Sequence, residues 1–294
     1  MEIFRQAAKE QQKRVLPPPQ ENPNAAPIRL NHDELQWDEG TITQYINNPT
    51  THYYEYTLPT VKAKIHLWAH QPSKSLSQVA ETAERILLWF GVPQGFTVYL
   101  WLQDDPRQIS ASEWPSRRTV NGGWTIPHSK TVYVYRAEEW ERVLIHELIH
   151  ALGWDWTMPS TPLPCWNVEG TFAPHLFEAW TELYAEWLYC AWFNIPWELQ
   201  RKHQNAQAVQ VMSRAPSKWS ENTNVFAYYV LKAALAEHIF FLLTVNASPQ
   251  ERLFLLCDLV KEPLRRLREE AKRTVPQPMS LRMSVSPIER TDKK

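Results

Sequence analysis

In the stretch Glu141-Arg142-Val143-Leu144-Ile145-His146-Glu147-Leu148-Ile149-His150-Ala151-Leu152-Gly153, apolar residues fill every position from Val143 to Leu152 except three, His146, Glu147 and His150. On a helix, residues four apart project from nearly the same face, so His146 and His150 form a two-toothed clamp. Glu147 lies about 60° around the axis from His150 at 3.6 residues per turn, beside the open side of that clamp. With apolar residues on the remaining faces, the helix reads as buried. Two imidazoles and a carboxylate are costly to bury without partners, and a divalent cation satisfies all three together. Imidazole nitrogen favours zinc over calcium or magnesium, which prefer cages of oxygen. The expectation is one Zn2+ held by His146 and His150, with Glu147 placed as a general base.

Upstream, Tyr53 to Leu58 and Val61 to Trp68 read as a hairpin of two strands rich in aromatic and β-branched residues, with Pro59 between them. Ser75 to Phe90 carries Val79, Ala83, Ile86, Leu87 and Phe90 at helical spacing and stops at Gly91. Phe96 to Leu102 and Thr131 to Tyr135 follow as strands, the second after an Asn121-Gly122-Gly123 turn signal. A strand entering the metal helix, as Thr131 to Tyr135 does, is the arrangement in which an edge strand binds an extended peptide. From about Glu138 the pattern is helical, with helices expected near 138–153, 175–193, 197–213, 222–245 and 248–272. The fold class expected is α+β. A flexible Pro-rich arm (1–30) precedes a mixed α/β lobe (31–153) that ends in the metal helix. A helical lobe (154–273) and a flexible tail (274–294) follow, with the metal site between the lobes.

A catalytic zinc needs a third protein ligand and a position left for water. Glu178 and Glu182 share one face of the apolar helix Phe177 to Phe193, so that Glu178 can bind the metal while Glu182 holds a ligand imidazole by its other nitrogen. His175, one turn before Glu178, and Asp155 are rival ligands, and Glu186 is expected to face solvent or the other lobe. These residues resemble the gluzincin, or thermolysin-like, branch of the zincin-fold metallopeptidases. There an HExxH helix is followed by a second helix carrying Asn-Glu-Ala-x-Ser-Asp, and the run here is Phe177-Glu178-Ala179-Trp180-Thr181-Glu182. The resemblance covers about residues 50–190. It implies a zincin-like fold, Glu178 as third zinc ligand, Glu182 in the place of the aspartate, and hydrolysis of peptide bonds in a protein or peptide substrate. His146 to Gly153 also matches the start of the metzincin pattern, but its third histidine would fall on Trp156, which cannot ligate zinc.

The remaining composition narrows the alternatives. A balance of 31 Lys+Arg against 32 Asp+Glu leaves a formal charge of -1 and no field directed at nucleic acid. The N-terminus lacks the apolar core of a secretory signal, and Val225 to Val245 is broken by Lys232, Glu237 and His238, so the expectation is an intracellular chain with no membrane insertion. Three cysteines, Cys165, Cys190 and Cys257, read as buried thiols of a reducing compartment. Fifteen tryptophans read as packing rather than as a ligand platform. Tyr228, Tyr229 and His238 are the candidates for an oxyanion donor; Arg117 and Arg118 form a pair more typical of a solvated turn. A zinc-binding scaffold without turnover and a hydrolase of some other amide stand as alternatives.

Overall fold

The computed structural model describes residues 1–28, 30, 40–70, 76–155, 176–215 and 223–285. In chain order the elements begin with α1 (Glu2–Lys13), β1 (Gln20–Glu21), α2 (Thr41–Ile46), β2 (His52–Leu58), β3 (Ala63–Ala69), α3 (Leu76–Phe90) and β4 (Thr97–Trp101). Next come β5 (Gln108–Ile109), α4 (Arg117–Val120), β6 (Gly123–Thr125), β7 (Thr131–Val134) and α5 (Trp140–Ala151). The chain continues through α6 (Leu176–Trp192), α7 (Trp197–Ser213), an irregular α8 (Phe226–Thr244), α9 (Pro249–Ala271) and β8 (Met279–Ser280). The strands and long helices expected from periodicity are found within a few residues of their expected ends. Mixed α/β architecture is therefore observed, in two compact units: Met1–Pro106 with Gly122–Trp154, and Arg107–Asn121 with Asp155–Lys294.

The first unit is built on a six-stranded sheet in the order β1-β2-β3-β4-β7-β6. β2 and β3 form the expected antiparallel hairpin, β3, β4 and β7 run parallel, and β6 returns antiparallel along β7. β7 is thus internal; the edge strand next to α5 is β6, which corrects the expectation that Thr131 to Tyr135 itself offers an edge.

Alternation along the strands gives the sheet two different faces. Ile65, Leu67, Val98, Leu100, Val132 and Val134 are buried on one, where α5 packs on β6 and β7. The other carries Tyr53, Trp68, Tyr99, Trp101, Tyr133 and Trp124, with Ile42 and Tyr45 of α2 packed against them. Strand register sets these rings side by side: Trp124 stacks on Tyr133 at 4.7 Å and 4°, and Tyr133 on Tyr99 at 5.0 Å and 14°. Such spacing matches the distance between neighbouring strands. Inner rings of the ladder therefore spend their faces on one another, which is packing rather than a stacking platform for a ligand. The Tyr53 hydroxyl and His66 Nδ1 share a hydrogen bond of 2.8 Å. Burial pushes the Tyr53 phenol up to about 12 and the His66 imidazole down, so both are neutral near pH 7.

Two expectations about the chain ends are corrected. Residues 2–13 form α1, which packs on α3 while Arg85 Nη1 donates to the carbonyls of Gln11 and Arg14 at the helix end. Gln20–Glu21 adds a strand to β2. The polar composition of the arm hid α1 because its docking uses a single buried Ala8 and an arginine cap.

At the other end, β8 pairs with β5, and Gln207, Gln200 and Tyr229 donate to the carbonyls of Ser280 (3.1 Å), Met283 (2.7 Å) and Leu281 (2.9 Å). Residues up to 285 are thereby tied into the second unit. The mixed lobe expected over 31–153 likewise yields residues 107–121 to that unit.

Within the second unit α8 packs against α6, α7 and α9. Among the described residues it is the one helix long and apolar enough to cross a bilayer, and 67% of it is buried. Its backbone passes through a π-type turn at Phe226–Leu231 and a 3-10 turn at Ala236–His238.

Cys190 is a buried thiol, but Cys257 is disulfide-bonded, which corrects the reading of all three cysteines as thiols and removes its support for a reducing compartment. Cys165 lies outside the described residues. Alkylation of the denatured chain should label more thiols after reduction, all three, than before it, by intact-mass spectrometry. Three labels before reduction would rule the disulfide out.

Candidate metal centre

α5 is apolar where it meets the sheet, with Val143, Leu144, Ile145, Leu148 and Ile149 buried. The three polar exceptions are buried too: His146, Glu147 and His150 are 7%, 5% and 8% exposed. The helix stops at Gly153, whose φ of +65° belongs to the left-handed region, and Trp154 N–H closes the end by donating to Ile149 O at 2.9 Å. A side chain at Gly153 would also strike the His128 ring, at 2.3 Å from Cε1.

The four-residue spacing brings His146 Nε2 and His150 Nε2 to 3.1 Å, with the rings at 72°. Two nitrogens bound tetrahedrally to one zinc at 2.0–2.1 Å would stand about 3.3 Å apart. A histidine pair sharing one proton has a similar separation, so a third ligand is what distinguishes a metal clamp. Ligand atoms of His146, His150 and Glu178 all lie within 4.8 Å of one another, and this is the one such grouping of His, Cys, Asp or Glu among the described residues. Asp155 is not part of it. Trp156 and His175 lie outside the described residues.

Two imidazole nitrogens and one carboxylate oxygen are a donor set suited to zinc. Glu178 is half-buried, and its Oε2 is shut off from solvent.

Glu147 lies under the edge strand. A Cβ built on Gly123 would be 3.1 Å from Glu147 Oε1, 2.7 Å from Val143 Cγ1 and 2.6 Å from Tyr133 O. The absence of a side chain at Gly123 is what lets β6 pass this close to α5. Sequence reading took Gly122-Gly123 for a turn and missed this contact.

On α6, Glu182 and Glu186 are 2% and 0% exposed. Glu186 was expected at solvent or a lobe contact. It instead accepts from Gln200 Nε2 at 2.8 Å and from Gln204, and pairs with Lys232. Lys232 Nζ also stands 3.8 Å from Glu182 Oε1. The signal for Lys232 was present in the sequence as a lone cation in an apolar helix.

Tyr229 is buried with its hydroxyl donating to Leu281 O, so it is a packing residue and not a free oxyanion donor. Tyr228 and His238 are half-buried. Arg117 and Arg118 open α4, a short helix rather than a turn, with Arg118 exposed.

The chain matches no family model, no curated protein and no solved structure. Residue chemistry and geometry therefore carry the functional reading.

Substituting Gly123→Ala should lower stability by about 1 to 3 kcal/mol, the usual effect of forcing a methyl into filled space. Thermal unfolding followed by circular dichroism measures it. An unchanged midpoint would mean that β6 does not pass so close to Val143 and Glu147.

Proposed function

We propose that this chain is a zinc-dependent metallopeptidase of zincin-like architecture, related in plan to the gluzincins. The observation that carries the reading is the convergence of one ligand atom each from His146, His150 and Glu178, with Glu147 on the same helix as the histidine pair. A structural zinc site has no use for an additional buried acid beside its ligands, whereas hydrolysis needs a base there.

His146, His150 and Glu178 would hold the ion, and Glu182 would orient a ligand imidazole through its second nitrogen. When bound, zinc supplies Lewis acidity, lowering the pKa of a coordinated water and stabilising negative charge on the substrate carbonyl oxygen. Glu147 takes the proton of the attacking water on its carboxylate and then delivers it to the departing amine nitrogen. Burial of Glu147 strengthens its interactions with both partners, because water does not screen them. Among the described residues β6 is the last strand of its sheet, a place where an extended peptide could be laid antiparallel to its backbone. Gly123 would keep that backbone close to Glu147.

Metal analysis and cleavage of a peptide library test the proposal together. Purified wild type should carry about one zinc per chain, which His146→Ala and Glu178→Ala should lose. Glu147→Gln should keep the metal and cleave at least about 100-fold more slowly. Stoichiometric zinc in Glu178→Ala would remove Glu178 as third ligand. Undiminished cleavage by Glu147→Gln would remove the general base, and zinc without cleavage of any peptide would leave a binding protein.

A further inference from the structure

Gln200, His203, Gln207, Gln210 and Arg214 recur at spacings of three and four residues from α7 to its C-terminal cap, which sets them on one face of the helix. Every one of them hydrogen-bonds the main chain of residues 277–285. Arg214 donates to the Gln277 carbonyl, and Gln210 Oε1 accepts from Gln277 N–H at 3.1 Å. Gln207 Nε2 donates to the carbonyls of Ser280 and Arg282, and His203 Nε2 to Arg282 O at 2.9 Å. Gln200 brackets Ser284: its nitrogen donates to Met283 O at 2.7 Å, and its oxygen accepts from Val285 N–H at 3.0 Å. Tyr229 of α8 donates to Leu281 O at 2.9 Å, and Leu281 N–H donates to Arg107 O at 2.6 Å.

The segment thus runs antiparallel to α7. From Gln200 to Arg214 a helix covers about 21 Å, and an extended chain from Gln277 to Val285 about 26 Å, so one polar side chain per helical turn keeps step with the strand. Gln200 and Gln207 are buried. Buried amides are costly unless paired, and here their pairing includes a peptide backbone. Apolar packing alone would hold a chain end without that cost. A face of amides is instead complementary to extended main chain as such, because bonds to main chain read direction and spacing rather than side-chain identity. Side-chain selection comes from Leu281, Met283 and Val285, which alternate along the segment and are buried. Their neighbours are exposed Ser280, half-buried Arg282 and small, buried Ser284. The connector from α9 is open by contrast, with Val275 71% exposed and two prolines, Pro276 and Pro278, that have no N–H to donate.

We propose that this face of α7, with Tyr229, is a binding site for an extended peptide carrying apolar residues at alternate positions. Residues 277–285 are its resident occupant, and a partner protein's segment of the same pattern replaces them. The resident segment competes from a tether, at an effective concentration of roughly millimolar order. The site therefore opens to partner segments that bind tightly enough to displace it. Nothing in this site depends on the zinc reading.

The probe is a fluorescein-labelled peptide with the sequence of residues 278–285, and its binding is read by fluorescence anisotropy. Leu281→Ser combined with Met283→Ser in the full chain weakens the resident segment, and circular dichroism checks the fold. This variant should bind the probe at least about 10-fold more tightly than wild type. Adding Gln207→Leu or Tyr229→Phe, each of which removes a donor to the segment, should weaken that binding about 2- to 10-fold. A probe with serine at its three apolar alternate positions should not bind. A second measurement needs no variant: millimolar probe should speed hydrogen exchange in the wild-type chain's own residues 279–285, read by mass spectrometry of that fragment.

A folded Leu281→Ser, Met283→Ser chain that binds the probe no better than wild type overturns the proposal. Binding indifferent to both Gln207→Leu and Tyr229→Phe does so as well. Should that chain not fold, hydrogen exchange decides: resident amides that stay equally protected in millimolar probe overturn the proposal, and faster exchange supports it.

Discussion

His146, Glu147 and His150 are buried on a helix whose other faces are apolar, and this is the constraint on which the remaining structure depends. Taking two imidazoles and a carboxylate out of water is unfavourable unless something inside the protein replaces their hydration. The two Nε2 atoms face each other at 3.1 Å, a spacing that one ion can fill. Everything around α5 keeps that geometry fixed: apolar contact with β6 and β7, a stop at Gly153 that a larger residue would block against His128, and the close passage of β6 over Glu147 at Gly123. A rigid base of this kind holds the two imidazoles and the carboxylate in one arrangement.

The sheet beneath α5 supplies the rigidity. Its aliphatic face packs on helices in the ordinary way, while its opposite face is a ladder of tyrosine and tryptophan rings in strand register. Parallel rings about one strand spacing apart bury large areas against one another and resist a slip of register, since a one-residue shift would send every ring to the other face. The high tryptophan content thus bears on the site indirectly, by holding the strands that hold α5.

A second buried polar problem is solved differently in the helical unit. Two buried glutamates on α6 meet one lysine, and one of them, Glu186, also accepts from two glutamine amides rather than from solvent. Breaking such a cluster by removing one partner is far more costly than removing the charges together. The same glutamines extend the network to the C-terminal segment: Gln200 binds Glu186, Met283 and Val285, and Gln207 binds Ser280 and Arg282. Residues far apart in the chain are thereby committed to one arrangement.

Local periodicity was enough to locate α3, α5, α6, α7, α9 and the strands β2, β3, β4 and β7, because each carries its apolar face within a few consecutive residues. His146, Glu147 and His150 were legible for the same reason, since four-residue spacing on a helix is itself a geometric statement. What the sequence could not reveal depends on partners distant in the chain. α1 needed Arg85 of α3, β5 needed β8, the edge position of β6 needed β4 beside β7, and the burial of Glu186 needed Lys232, Gln200 and Gln204. The sequence by itself determined which helix bears the histidine pair and which acid accompanies it. Tertiary structure alone decided where the acids of α6 find their charge partners and which strand lies against Glu147, because burial and long-range hydrogen bonds depend on which elements pack together.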